Sequence, residues 1–384
     1  MKTIAIVGGG SGGLGTANRL AYKFKNEIKA GNIKIILIEG STKHYYEPGF
    51  LEIPFNLLTK ENTYREEKNM LAKGIVLVNE NAVNIDLKNQ IIQTTNQKIN
   101  YDYIIIATGT SYDYDAVPGL KTGTENFHAL ETSLKLKATL NKFKKGNIVV
   151  GVSSLPYKCM PSPIETVFML NDFFLKYRQR ESVNIQYFYP IPMAFPEKGV
   201  SDAIMAKFQD KNIESTLNFQ LDSVDNDKHE LISKTGDRIK FDLAIVVPPH
   251  RGSRVIDDSG IGDKMGWIDT DAYKLNIKSY DNAYAIGDAT NLSVSKSGSV
   301  ADAESIVVSN RIYEEMGDFA PHTLYDGSGG AMVLTGLDKA MMIGSSYASK
   351  PSLTPESYSF YWLKVIYNNL YWNLTANPVL NGVE

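Results

Sequence analysis

The sequence predicts an α/β fold of two nucleotide-binding-type β–α–β domains followed by an amphipathic helical tail. Three observations predict it. An N-terminal strand runs through a glycine-rich turn into a helical stretch, two later strands end in small-residue turns, and a mid-chain apolar run, NIVVGV, opens a second strand–helix alternation. Strands alternating with helical periodicity imply parallel sheets covered by helices. The 384 residues allow two or three domains with real cores.

Composition narrows the function. Lys and Arg number 40 against 43 Asp and Glu, a net charge of −3, so no nucleic acid partner is expected. A single cysteine excludes an intramolecular disulfide and a cysteine-rich metal site. The five histidines are scattered, so no metal is expected. The start, MKTIAIVGGGSGGLG, lacks the basic segment and cleavage site of a signal peptide. No apolar run reaches roughly 18 residues, so no transmembrane helix is expected.

The first strand, TIAIVG, leads into Gly8-x-Gly10-x-x-Gly13 and the helical stretch LGTANRLAYKFKNEIK; a second strand, KIILIEG, ends in Glu39. Gly8 permits the tight turn, Gly10 lets the backbone approach a pyrophosphate, and Gly13 lets helix and strand pack closely. The helix start at Ser11 offers free N–H groups to phosphates, and Glu39 is placed to bind an adenosine ribose. Further on, YDYIIIATGT is a buried strand running into Ala107, Thr108 and Gly109. Residues 282–289, NAYAIGDA, deliver Gly287 and Asp288 to a turn ahead of a helical segment over 297–316.

The order of these motifs resembles the flavoproteins with two dinucleotide-binding domains, the glutathione-reductase-like fold. The resemblance implies noncovalent FAD, held by Gly8, Gly10, Ser11, Gly13, Glu39, Val83, Ala107, Thr108, Gly109, Gly287 and Asp288. It also implies that Asp288 bonds the ribityl chain and that the helix behind it points its N-terminus at the flavin, where a dipole end favours the anionic reduced form.

In the middle domain, NIVVGV is followed by SSLPYKCMPSPIE. This loop has no second G-x-G-x-x-G, and Pro156, Pro161 and Pro163 withhold donors that a pyrophosphate would need. The strand over 183–190 ends without a ribose-binding carboxylate, so an α/β core without nicotinamide is expected. Ser162-Pro163-Ile164-Glu165 fits a capping box with proline at the first helical position, opening a helix over 163–177. Cys159 then lies just before a helix start beside Lys158, and both features favour its thiolate. The alternative is a buried, inert cysteine.

Four strings together resemble sulfide:quinone oxidoreductases: Leu155-Pro156-Tyr157-Lys158-Cys159, YYEPGF ending at Phe50, Ser295-Lys296-Ser297-Gly298, and Leu324-Tyr325-Asp326-Gly327. The resemblance implies that Cys159 carries sulfur over the flavin. Lys296 would stand at the pyrimidine edge and contact the cofactor, and Glu165 would be an acid near it, with capping as its alternative role. That family works with two cysteines; the second would fall near Ala331, and residues 125–130, ENFHAL, offer no third. Three readings follow. The chain oxidises sulfide or a persulfide at one cysteine and passes electrons through FAD to quinone; or it takes another donor, as a type II NAD(P)H:quinone oxidoreductase does; or it is an FAD-loaded binding or regulatory protein.

The tail, SYSFYWLKVIYNNLYWNL over 357–374, sets Leu363, Ile366, Leu370 and Leu374 at helical spacing among aromatic rings. It suits a helix lying in a membrane interface, a peripheral, monotopic attachment that also gives access to quinone. Its alternatives are packing on the core or on a second copy in a homo-oligomer. Lys364 is its sole charge, Phe50 and the tail aromatics are candidate quinone neighbours, and no anchor motif follows Pro378. His250 is read as a loop residue, His128 and His322 as without partners, and 64–68 (YREEK) as a solvated helix face. The expected domains are 1–115 and 275–325 for FAD, 116–274 for sulfur chemistry, and 326–384 facing membrane and quinone.

Overall fold

The computed structural model describes residues 1–177, 179–317 and 319–378. Its first sheet has five parallel strands, in the spatial order Ala283–Ala285, Tyr103–Ile106, Lys2–Val7, Ile33–Ile38 and Ile75–Val78. The central strand is a continuous apolar run, as a strand covered on both faces must be; Ile4, Ala5 and Ile6 are fully buried. Helices Ser11–Lys23 and Gly298–Met316 cover one face, where Ile4, Leu14, Leu20, Ile105 and Val308 share a core. On the other face Ala5, Ile36 and Ile104 pack with Ile256, Ile268 and Ile277 from the returning chain.

The second sheet is also parallel, in the order Glu214–Leu217, Val183–Tyr189, Gly146–Val152, Leu243–Val247. Helix Ser162–Lys176 lies against it, burying Ile164, Val167, Phe168 and Phe174. A three-stranded antiparallel sheet, Gly329–Leu334, Ala340–Ser346 and Ser349–Leu353, leads to the tail helix Tyr358–Tyr371 and a π turn over Trp372–Ala376. Ser357 caps that helix by accepting from the Phe360 N–H. No helix among the described residues is long and apolar enough to cross a membrane.

Several expectations are corrected. The first helix breaks at Phe24 and resumes over Lys25–Lys29. There is no capping box at 162–165: Pro161 is the N-cap, no side chain caps the helix, and the Glu165 carboxylate turns toward the tail. Residues 64–68 are a short strand and a 3-10 turn, with Glu67 buried beside His44 at 3.5 Å. His250 sits in a strand, His250–Gly252, paired with Thr110–Tyr112. The stretch after Pro378, expected to carry no anchor motif, lies outside the described residues.

Candidate active site

A cavity of about 810 Å³ joins the two sheets and the tail, within the size range of cofactor sites. Gly8, Gly10, Ser11, Glu39, Ala107, Thr108, Gly109, Gly287 and Asp288 line it, as do Cys159, Glu165 and Lys296. Gly13 stays outside because it packs helix on strand: a Cβ there would collide with the Gly8 carbonyl. Val83 also stands apart from the lining. It is an exposed residue at a register shift in the strand Ala82–Asp86.

The dinucleotide end has the features a cofactor needs. Gly10 presents open space, with nothing within 4 Å of an added Cβ, so backbone there can approach a phosphate. Glu39 accepts from the N–H groups of Gly9 (2.6 Å) and Ser41 (2.7 Å). Gly287 takes φ +66°, which a glycine tolerates without strain. That turn holds Asp288 on the cavity wall, where burial raises its pKa. A buried carboxylate is costly unless hydroxyls or amides solvate it, so Asp288 suits the hydroxyl-rich chain of a flavin dinucleotide. Lys296 donates to the carbonyls of Asp288 (3.0 Å) and Thr290 (2.7 Å), and its Nζ lies 4.0 Å from the Trp267 ring centroid. Burial lowers its pKa, against the pull of Asp288 and Glu304.

Cys159 occupies a left-handed backbone conformation, φ +58°, which costs a non-glycine residue about 1 kcal/mol. Two hydrogen bonds pin it: its N–H donates to the Lys296 carbonyl (2.7 Å), and its carbonyl accepts from Ser162 (2.9 Å). The folded surroundings oppose the expected thiolate. Burial and the Glu165 charge push the thiol up to about 11, with Lys364 opposing. Lys158 gives no help, because its Nζ pairs with Glu47 at 2.6 Å and sits over the Tyr112 ring.

Glu165 is held by the Leu334 N–H (2.9 Å) and by Lys364 Nζ (3.0 Å). Lys364 also donates to the Met332 carbonyl (3.1 Å) and lies 3.9 Å from Glu52. Asn368 donates to both Glu52 oxygens and accepts from the Tyr46 hydroxyl. Burial works against the Lys364 charge, yet Glu165 and Glu52 hold its pKa above the ordinary lysine value. Burial raises that of Glu52. Sequence reasoning missed Glu52 and Asn368. The one available signal was the i, i+4 spacing of Lys364 and Asn368 on an otherwise apolar helix.

Ala331 lies on the strand Gly329–Leu334 and lines the same cavity as Cys159. Phe50 does not line it; it is buried against Tyr45, while Tyr45, Tyr46, Pro48 and Leu51 form the wall. From the tail, Leu363, Ile366, Leu370 and Leu374 reach the cavity. Tyr371 closes it by bonding Ser11 (2.8 Å) and His44 (2.7 Å). His128 has neighbours after all: its ring lies 5.3 Å from His250 and 6.1 Å from Tyr112. Burial depresses the pKa of both histidines, that of His250 to about 3. His322 is exposed beside Glu314 at 3.3 Å.

Known proteins share this frame. The chain is 28% identical to the mitochondrial sulfide:quinone oxidoreductase of Dictyostelium discoideum, over 96% of this chain and 84% of that one. It is 26% identical to the mitochondrial sulfide:quinone oxidoreductase of Mus musculus, over 99% and 87%. Its fold matches the X-ray structure of the sulfide:quinone oxidoreductase from Aquifex aeolicus with a TM-score of 0.86 at 19% identity, covering 100% and 92% of the two chains. NDH2 from Plasmodium falciparum, solved with NADH, matches at 0.72 and 14% identity, covering 98% and 97%. The profile of the pyridine nucleotide-disulphide oxidoreductases matches residues 2–305. A match running from the first strand into the helix behind Asp288 makes the chain a member of the pyridine nucleotide-disulphide oxidoreductase family.

Proposed function

We propose that the protein is an FAD-dependent sulfide:quinone oxidoreductase that works with a single cysteine while docked on a membrane surface. One observation carries this reading: a single cavity is lined by the dinucleotide turns, by Cys159 and by the apolar side chains of the tail helix. Full-length similarity to two mitochondrial sulfide:quinone oxidoreductases supports it.

Gly8, Gly10, Ser11 and Glu39 would hold the dinucleotide, and Asp288 its polyol chain. Bound there, FAD supplies the acceptor for an electron pair from sulfur and the donor for quinone. The chain's own residues prepare the sulfur. Cys159 must first lose its proton, and Glu165 is the carboxylate on the same wall to take it, oriented by Leu334 and Lys364. Joining sulfide then forms an S–S bond: Cys–S⁻ + HS⁻ gives Cys–S–SH and releases two electrons. A second sulfide displaces the persulfide, Cys–S–SH + HS⁻ giving Cys–S⁻ + HS–SH, and so takes the part of a cysteine at position 331. Leu363, Ile366 and Leu370, each more than 40% exposed, would face lipid and the quinone it dissolves.

The test is anaerobic addition of sulfide to the FAD-loaded protein, with NADH in parallel. Sulfide should bleach the flavin band of the native protein, and Cys159→Ser should keep its FAD without being bleached. Bleaching by NADH alone, or equal bleaching of both forms by sulfide, would sink the reading.

A further inference from the structure

One ionisable group near the cofactor end has no part in the chemistry above. Glu304 lies in the helix Gly298–Met316 and is fully buried. One carboxylate oxygen accepts from the Gly287 N–H, in the turn that presents Asp288. The other is buried without a hydrogen-bond partner among the described residues. Among the described residues no cation forms an ion pair with Glu304. Lys296, whose charge acts on it, donates instead to the carbonyls of Asp288 and Thr290.

The remaining groups around it are acidic or neutral. Asp288 faces it from the same turn, and Tyr325 and Tyr347 from the segments that follow its helix. Arg19, on the helix Ser11–Lys23, is engaged with Asp302 and Ser305. A carboxyl so placed has its proton affinity pushed up to about 8 by burial, eased by the Gly287 amide and reinforced by Asp288. It therefore changes charge near neutral pH. Any added negative charge beside the turn would make it bind a proton more tightly.

We propose that Glu304 is a proton-accepting group linked to the cofactor, taking up one proton when an electron pair reaches the flavin and releasing it when the pair leaves. The inference rests on flavin binding at Asp288, as the proposed function does. Its balance is explicit. FAD + 2 e⁻ + H⁺ leaves one negative charge on the flavin, and Glu–COO⁻ + H⁺ → Glu–COOH offsets that charge one turn away. Glu304 does not touch the reacting atoms; it acts through the Gly287–Asp288 turn.

The experiment counts protons and omits sulfide. The FAD-loaded protein is reduced photochemically without oxygen in weakly buffered solution containing an indicator dye. At about pH 9, where Glu304 is largely ionised before reduction, the native protein should take up close to two protons per electron pair, and Glu304→Gln one. Equal counts with FAD retained in both overturn the inference and leave the sulfide reading standing. A native chain that binds no FAD overturns both. Should Glu304→Gln fail to fold, infrared difference spectra of the native protein decide the matter. A carboxylic acid carbonyl band that grows on reduction and shifts in D₂O supports the assignment, and its absence refutes it.

Discussion

At Cys159 the local sequence and the folded surroundings point in opposite directions. The nearby helix start and the neighbouring lysine argue for a thiolate. In the fold, Lys158 is drawn to Glu47, 111 positions away, while Glu165 and Lys364 face the sulfur. The position of the cysteine was legible because PYKC is a contiguous string; its ionisation was not, because burial in the fold sets it first, followed by the charges of Glu165 and Lys364. Glu165→Gln should therefore lower the thiol pKa from about 11, by removing a negative charge and leaving Lys364 as a cation beside it. Lys364→Met should raise it. The pH dependence of alkylation by iodoacetamide measures both, and a Glu165→Gln curve displaced to higher pH would contradict this account. The linkage sign follows. The fold favours the protonated thiol, so this group's share of stability is intact below its ordinary value of 9.0 and is lost as pH rises toward about 11. Denaturant midpoints taken across that window should fall less for Cys159→Ser than for the native protein.

Among the elements, strands and glycine turns were legible because their signals lie within ten residues of one another. The start of the cysteine helix was not. Its Ser-x-x-Glu pattern satisfies the capping rule, but Lys364 and the Leu334 amide outbid the helix for the Glu165 carboxylate. The tail helix was legible by periodicity, and the fold leaves its outer face bare: Tyr358 is 57% and Trp362 60% exposed, and neither lines the cavity. The double substitution Tyr358→Asp, Trp362→Asp should abolish binding to lipid vesicles while FAD content stays unchanged. Co-sedimentation with vesicles checks this, and undiminished binding would mean the face serves something other than lipid. Ser357→Ala removes the cap of this helix and should cost about 1 kcal/mol, read from denaturant unfolding.

For the molecule as a whole, the tail is fastened to the first helix and to the segment at His44 as well as carrying an exposed face. Asn18 donates to the Ala376 carbonyl at 2.7 Å, and Tyr371 bonds both Ser11 and His44, the former 360 residues earlier in the chain. Contacts over such separations leave no pattern in the sequence, which is why the tail was read from its apolar stripe and aromatic rings. Tyr371→Phe should cost about 1–3 kcal/mol, because it strands a buried His44 nitrogen. It should also weaken FAD retention, as measured by flavin released on gel filtration. Retention equal to that of the native protein would confine the tail to surface attachment. The bond from the Cys159 amide to the Lys296 carbonyl joins the second sheet's loop to the returning segment of the first. The backbone that carries the sulfur is thus held at a seam between the two sheets, and any gape of that seam misaims it at once. The exchange rate of this single amide proton is then a gauge of how often the two halves part, and a ligand that clamps them should slow it.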